Sequence, residues 1–281
     1  MDIKQIIDDL IDNNIFEAAP TEYFRLKGGT VSDLYFLKVA GMDYVVKSNL
    51  QQVIIEEAQF LNTYKNITLF PNLLYIEPTY KYILYSFIEG TTNYLEITKE
   101  NWLQTLVKEV LNHYHEAPEA DGWGWADQPV DSWQNFQLNE IAFAKEVIGS
   151  RLDPEAHDCV YNLAKNNKLE NKQYLLHGDC GVHNFIFNNG KLTGVIDPTP
   201  VIGHPLYDLV YAFCSSPNAL TKETIKAATK HLIHSETLED SILYEQVVIA
   251  LYIRLEACLV HHSQEFEEYL DAWNYWINLV K

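Results

Sequence analysis

Cysteine, positive charge and unbroken apolar runs are all scarce in this 281-residue sequence, and each scarcity removes a class of protein. The four cysteines, Cys159, Cys180, Cys214 and Cys258, form no CxxC pair and have no histidine at zinc-finger spacing. That excludes a structural zinc site and a disulfide framework and predicts reduced thiols. Against 39 Asp and Glu stand 20 Lys and Arg, a formal net charge of -19. Such a surface repels a phosphate backbone, so no nucleic-acid partner is expected. The same surplus would attract a cationic partner or substrate, and it also serves plain solubility. The most apolar late stretch, LYEQVVIALYIRLEACLV (243–260), is interrupted by Glu245, Arg254 and Glu256 and reads as a buried helix, so no membrane partner is expected. MDIKQIIDDLIDNN at the start lacks a basic segment and a small-residue cleavage site, which predicts no secretory signal and a soluble, cytoplasmic protein. There is no internal repeat or low-complexity tract.

What is present is 47% hydrophobic residues, enough to fill the core of one large domain or two ordinary ones. A first amphipathic helix is expected over about 3–13. Residues 22–47 then alternate in strand fashion, as EYFRLKGG, SDLYFLKVAG and MDYVVKS, with Gly28, Gly29 and Gly41 at the turns of an antiparallel meander. LQQVIIEEAQFLNTYK places Ile54, Ala58 and Leu61 on one helical face, and LLYIEP and YKYILYSFIEG read as two further strands. From about residue 98 the pattern turns helical. Thr98 is the expected N-cap of KENWLQTLVKEVLNHYHE, where Trp102, Leu106, Val110 and Tyr114 recur at helical spacing up to Pro118. Short strands return over 175–197, and 221–281 is helical again. The expected border between the two parts is SFIEGTTN, residues 86–93.

Two such parts joined by a short connector would enclose a cleft. Gly28 and Gly29 in KGGTVSD permit a tight backbone with free N–H groups that can approach phosphate oxygens, and Thr30 and Ser32 add hydroxyls; a plain hairpin would use the same residues. Lys47, closing YVVK, can aim an ammonium into the cleft if a carboxylate balances it. Glu56 and Glu57 on the following helix are both candidates, with Glu57 the preferred one. HGDCGVHN (177–184) follows an apolar strand, and its Asp179 is suited to accept a proton from an attacking hydroxyl or to orient it. Asn184 offers a neutral oxygen and Asp197, in VIDP, a charged one. Hard ligands this few suit magnesium completed by nucleotide phosphates. His177 reads as an orienting residue that hydrogen-bonds the loop backbone or the second aspartate.

In their order, the glycine turn, YVVK, the helix glutamate, SFIEG, YHEAP, HGDCGVHN, VIDP and HPLYDL resemble the aminoglycoside phosphotransferase family over nearly the whole chain, the specific block being 174–212. The resemblance implies an α+β, protein-kinase-like, two-lobed fold. Residues 1–90 would form a small antiparallel-sheet nucleotide-binding lobe with its connector at 85–91, and 91–281 a larger helical lobe carrying the catalytic loop and acceptor site. It further implies that Asp179 is catalytic, that Asn184 and Asp197 hold Mg2+, and that Lys47, paired with Glu57, meets the α- and β-phosphates of ATP. Phe87 and Ile88 would lie in the segment that binds adenine through backbone groups, and Asp208 would brace the catalytic loop. The function implied is ATP-dependent phosphorylation of a small-molecule hydroxyl, such as an aminoglycoside's, hence antibiotic resistance. The alternatives are a kinase of a metabolite (choline, a sugar or an amino alcohol) and a catalytically silent nucleotide-binding protein.

Pro198 follows the second aspartate where protein kinases place Phe-Gly, and no APE follows it, so a small-molecule kinase is expected over a protein kinase. For the acceptor side, the tryptophans of DGWGWADQPVDSWQNF (121–136) read chiefly as core-closing residues, with stacking on a sugar or cation as the other use. Glu256, Glu265, Glu268 and Asp271 read mostly as a solvated helix face, some of which could sense an amine. His113, His115, His261 and His262 read as packed or surface histidines, and Cys180 as an incidental small residue.

Overall fold

The computed structural model describes residues 2–26, 32–94, 97–118, 122–169, 172–233 and 238–280. Helix α1 (Ile3–Asp12) begins where the Asp2 carboxylate accepts from the Lys4 amide. Strands β1 (Glu22–Arg25), β2 (Asp33–Val39) and β3 (Met42–Ser48), helix α2 (Gln51–Thr63), and strands β4 (Leu73–Ile76) and β5 (Tyr82–Ser86) follow. The strands form one antiparallel sheet in the order β1-β2-β3-β5-β4.

Two-residue alternation sorts this sheet's faces. Val46, across from Leu84, packs with Ile6 and Leu10 of α1. Val45, across from Tyr85, turns the other way, into a core shared with Ile54, Ala58 and Leu61 of α2. Lys47, across from Ile83, has the parity of Val45 and is therefore driven toward α2.

The rest is mainly helical: α3 (Lys99–Glu109), α4 (Trp133–Ile148), α5 (Pro154–Lys165), α6 (Leu206–Cys214), α7 (Lys222–Thr229), α8 (Asp240–His261) and α9 (Phe266–Val280). Small β elements punctuate it. Strands β6 (Gly124–Trp125), β7 (Tyr174–Leu176) and β10 (Val201–Gly203) form a three-stranded sheet, and β8 (Phe185–Asn188) with β9 (Lys191–Val195) a hairpin. The larger of the two apolar clusters runs from Val45 and Ile83 of the sheet through Trp102 and Leu106 of α3 to Leu251 of α8 and Trp276 of α9. Among the described residues no helix is long and apolar enough to cross a membrane.

One helix ends earlier than its periodicity implies. Thr98 caps α3 through a bond from the Asn101 amide, and Trp102, Leu106, Val110 and Tyr114 are all buried, but the α-helix stops at Glu109. A single 3-10 turn follows (Leu111–His113), and Tyr114 is extended. Tertiary bonds take this backbone: His115 accepts from the Leu175 amide at 3.1 Å and donates to the Tyr64 hydroxyl at 3.0 Å. The final turn is exchanged for a seat beside β7.

Candidate active site

Strand β3, helix α2 and the loops that follow β7 and β9 supply the residues of one site. Lys47 and Glu57 are almost fully buried, with Lys47 Nζ 2.5 Å from Glu57 Oε2. The contact is a close, buried ion pair. Lys47 also bonds Asp197 Oδ1. Burial by itself would lower the Lys47 pKa; the charges of Glu57 and Asp197 more than reverse it and keep the ammonium protonated. Burial pushes the Glu57 carboxyl up to about 7, against the pull of the ammonium. Of the two glutamates open from sequence, Glu57 faces Lys47 and Glu56 accepts from Gln52 one turn away.

The loop after β7 is fastened from behind. Asp208 of α6 is buried and accepts from the Tyr114 hydroxyl at 2.6 Å, the His177 amide at 2.9 Å and the Gly178 amide at 3.1 Å. Burial raises its pKa to about 6 even with those donors in place. Gly178 sits at φ +81°, and a Cβ there would stand 1.9 Å from the Thr199 carbonyl oxygen, so only glycine lets the two loops touch. His177 joins them as well. Its Nδ1 accepts from the Asp179 amide at 3.3 Å, which leaves Nε2 to donate to the Ile196 carbonyl at 3.1 Å. Burial lowers its pKa to about 4, so the ring is neutral.

Asp179 is held by one oxygen. Its Oδ2 accepts from Asn184 Nδ2 at 2.9 Å and from His183 Nε2 at 3.3 Å, while Oδ1 is buried with no hydrogen-bond partner. Burial raises its pKa, but the His183 bond and charge and the nearby Tyr211 hydroxyl outweigh burial and keep it below the usual value. The same Asn184 amide also donates to the Asp179 carbonyl at 3.0 Å, which turns Asn184 Oδ1 away from the loop. The Ile196 amide bonds the Asn184 carbonyl at 2.9 Å, bringing the residue next to Asp197 alongside. Asp197 itself has φ +61°, a left-handed conformation seldom adopted by a residue with a side chain and a mark of functional sites.

Asn184 Oδ1 and the half-exposed Asp197 carboxylate are hard oxygen donors on adjoining backbones. They fit a divalent cation that draws its other ligands from phosphate and water. Among the described residues no three His, Cys, Asp or Glu side chains converge on a metal position, so a cage made wholly of such side chains is not what the described site offers.

The connector lies on the β8–β9 hairpin, where a Cβ on Gly194 would stand 2.8 Å from Ile88 Cγ2. The Phe87 amide donates to the Asp43 carbonyl at 3.1 Å, and its ring meets Phe36 edge-on at 5.2 Å. Among the described residues nothing pairs with the Ile88 N–H or C=O. The Ser32 hydroxyl accepts from Asn49 Nδ2 at 2.7 Å. Gly28, Gly29 and Thr30 lie outside the described residues.

Sequence reasoning missed three neighbours. His183 is one turn from Asp179, a spacing that could have drawn attention. Tyr211 is one turn beyond Tyr207 on α6 and approaches Asp179. Glu140 interrupts the stripe of α4 that buries Trp133, Phe136, Gln137 and Ala144, and an acid in such a stripe is a signal. The tryptophans divide their roles: Trp133 is core, whereas Trp125 lines a cavity and donates to Glu140 Oε1 at 3.3 Å.

A family model described as the phosphotransferase enzyme family matches residues 25–236. No curated protein sequence matches the chain. Among solved structures, the chain is similar to a thermostable mutant of aminoglycoside phosphotransferase APH(4)-Ia in ternary complex with ADP and hygromycin B, with TM-score 0.66, 19% identity and 98% of each chain covered. It is similar to an APH(2")-IIIa bound to GDP and kanamycin, with TM-score 0.63, 16% identity, and 97% of this chain and 96% of that one covered. It is also similar to a putative fructosamine-3-kinase from Haemophilus somnus 129PT, with TM-score 0.65, 17% identity, and 98% and 96% covered.

Proposed function

This chain belongs to the phosphotransferase enzyme family, whose kinase-type chemistry it shares, and on that footing we propose that it moves the γ-phosphoryl group of ATP to a hydroxyl of a small molecule. The observation that carries this reading is the asymmetry of Asp179: one oxygen is fixed by Asn184 and His183, while the other is buried and makes no aligned hydrogen bond, with the Tyr211 hydroxyl beside the carboxylate. An acceptor hydroxyl donating to Oδ1 would satisfy that oxygen and be aimed by it. A carboxylate held below its usual pKa is a weak base, so Asp179 orients the nucleophile first and takes its proton late.

The remaining roles follow from charge. Phosphoryl transfer asks the protein chiefly to position reactants and balance charge. Lys47 is protonated, buried and already bridging two carboxylates, and phosphate oxygens can take the place of Asp197 beside it. Mg2+, held by Asn184 and Asp197, supplies charge neutralisation on the transferred group when bound. Residues 1–90 serve as the nucleotide-binding lobe, and the unpaired backbone of Ile88 in the 85–91 connector is the group suited to the base. The two nucleotides seen in the relatives, ADP and GDP, make both ATP and GTP worth assaying. The Ser32 hydroxyl would meet a phosphate oxygen.

Asp179→Ala is expected to lower turnover by on the order of 100- to 10,000-fold while nucleotide affinity is kept. Asp197→Ala should abolish the magnesium dependence of nucleotide binding, read by calorimetry with and without the ion. Near-normal turnover in Asp179→Ala would remove the basis of this reading. Thermal stabilisation by MgATP with no acceptor-dependent ADP release from any hydroxyl compound would favour a silent nucleotide-binding protein.

A further inference from the structure

Behind the catalytic loop lies a cavity of about 210 Å3, walled by α4, α6 and α8. It adjoins the loop that carries Asp179 at two points. Tyr211 lines it and interacts with Asp179, and Ser215 lines it while its Oγ accepts from the Val182 amide of the loop at 3.1 Å. Much of the wall is apolar or aromatic, with Trp125, Phe136, Tyr207 and Ile249 prominent.

Its polar groups are few and specific. A relay runs from Asn167 Nδ2 to Gln137 Oε1 and from Gln137 Nε2 to Gln246 Oε1, each at 2.9 Å. It ends at Gln246 Nε2, which is buried and donates to nothing, although Gln246 is only 7% exposed and lines the cavity. A buried donor without an acceptor costs stability unless a ligand supplies one. Two carboxylates, Glu140 and Glu256, share the same wall. Burial raises the pKa of Glu140, the Trp125 hydrogen bond offsets part of that, and the charge of Glu256 adds a smaller push upward, so a cation beside the pair would be favoured. Arg254 also lines the cavity; its guanidinium is 3.5 Å from Glu265 and rests 5.0 Å from the centre of the Tyr269 ring, and its buried Nε, like Gln246 Nε2, is a donor without a hydrogen-bond partner that an oxygen of the acceptor could meet.

Resting on the phosphotransfer reading, we propose that this cavity is the acceptor pocket and that its substrate is a small amine-bearing alcohol with one ring or a short apolar body. The aromatic wall takes the body, Glu140 and Glu256 take the ammonium, and Gln246 Nε2 donates to an oxygen of the acceptor. A multi-ring aminoglycoside is too large to be enclosed, since pockets for drug-sized ligands span roughly 300–1,000 Å3. In the reaction the acceptor oxygen bonds the γ-phosphorus as the bond to the β,γ-bridging oxygen breaks. The hydroxyl proton passes to Asp179 and on to solvent, leaving a phosphate monoester and the nucleoside diphosphate.

The test is ADP release at saturating MgATP with a set of ring-bearing and alkyl primary amino alcohols, including 2-amino-2-phenylethanol, each beside its deaminated counterpart, such as 2-phenylethanol. Glucose and kanamycin serve as neutral and oversized comparators. Amino alcohols should exceed their deaminated counterparts by about 10- to 100-fold in kcat/KM, the scale of a hydrogen bond to a charged group. Glu140→Gln should weaken that preference through KM, Glu140→Gln combined with Glu256→Gln should erase it, and Gln246→Met should raise KM for both members of each pair. Kanamycin or glucose as the best acceptor, or a preference for amines that survives the double variant, would overturn the assignment. Calorimetry of MgATP binding to the same proteins separates the two levels. Nucleotide binding without turnover of any amino alcohol sinks the acceptor class alone; no nucleotide binding sinks the phosphotransfer reading with it.

Discussion

Glu57, in the sheet-rich region, and Asp208, in the helical region, are both carboxylates removed from solvent, and their partners differ in kind. Asp208 is ringed by neutral donors fixed to the frame: the Tyr114 hydroxyl and the amides of His177 and Gly178. Glu57 faces one ammonium on a flexible stem, shared with Asp197. Backbone donors cannot leave without unfolding the loop, so Asp208 works as a fastener. An ammonium that already divides itself between two carboxylates can turn to a third anion. The helical region thus builds rigidity, and the sheet region builds a charge that can be redirected.

The sharpest way to break this contrast is Asp208→Asn, which points an amide nitrogen at groups that are themselves donors. It should cost about 3–5 kcal/mol in urea unfolding and lose turnover along with stability. A loss under about 1 kcal/mol would mean that the loop is fastened elsewhere.

Gly178→Ala attacks the same fastening from the backbone side. With its Cβ driven toward the Thr199 carbonyl at positive φ, it should destabilise by about 2–5 kcal/mol, combining left-handed strain with forced separation of the loops.

Acid should loosen the helical region through His177. Its folded pKa is about 4 against 6.5 for the free side chain, so between these values the unfolded chain holds the extra proton. Its contribution is intact above pH 6.5 and is lost as pH falls toward 4, by about 3 kcal/mol in all. Stability-against-pH curves of the parent and His177→Gln should therefore converge on acidification. Curves that stay parallel would show that the histidine is not held neutral.

The smallest effect on stability belongs to the sheet region. Glu57→Gln leaves Lys47 with Asp197, so the loss should be about 1 kcal/mol. KM for ATP should nevertheless rise about 10-fold, because an ammonium held by one partner is less well aimed. A large fall in stability without a change in KM would make Glu57 another fastener.

Much of this was legible from local pattern. Strand alternation around YVVK foretold an inward Lys47, and the helix stripe of Ile54, Ala58 and Leu61 held the means to rank the glutamates. Glu57 stands at the stripe's i+3 position and Glu56 does not. That inference was available from periodicity alone. The early end of α3 was not, because the backbone of His115 is claimed by Tyr64 and β7, partners distant in sequence. Glu140 was passed over as one acid among 39, and only the wall it shares with α8 gives it a possible use.

The sequence by itself determined the element types of the sheet-rich first part, the inward faces of the YVVK strand and of the helix after it, and which residues carry oxygen ligands, a cation or a neutral ring. Those follow from periodicity and side-chain chemistry, which are local. Only the tertiary structure decided that Lys47 meets a carboxylate 150 positions away, that Asp179 keeps one oxygen unpaired, and that Glu140, Glu256 and Gln246 line a single cavity. Each of these depends on how separate elements pack, and packing is decided by the whole core at once.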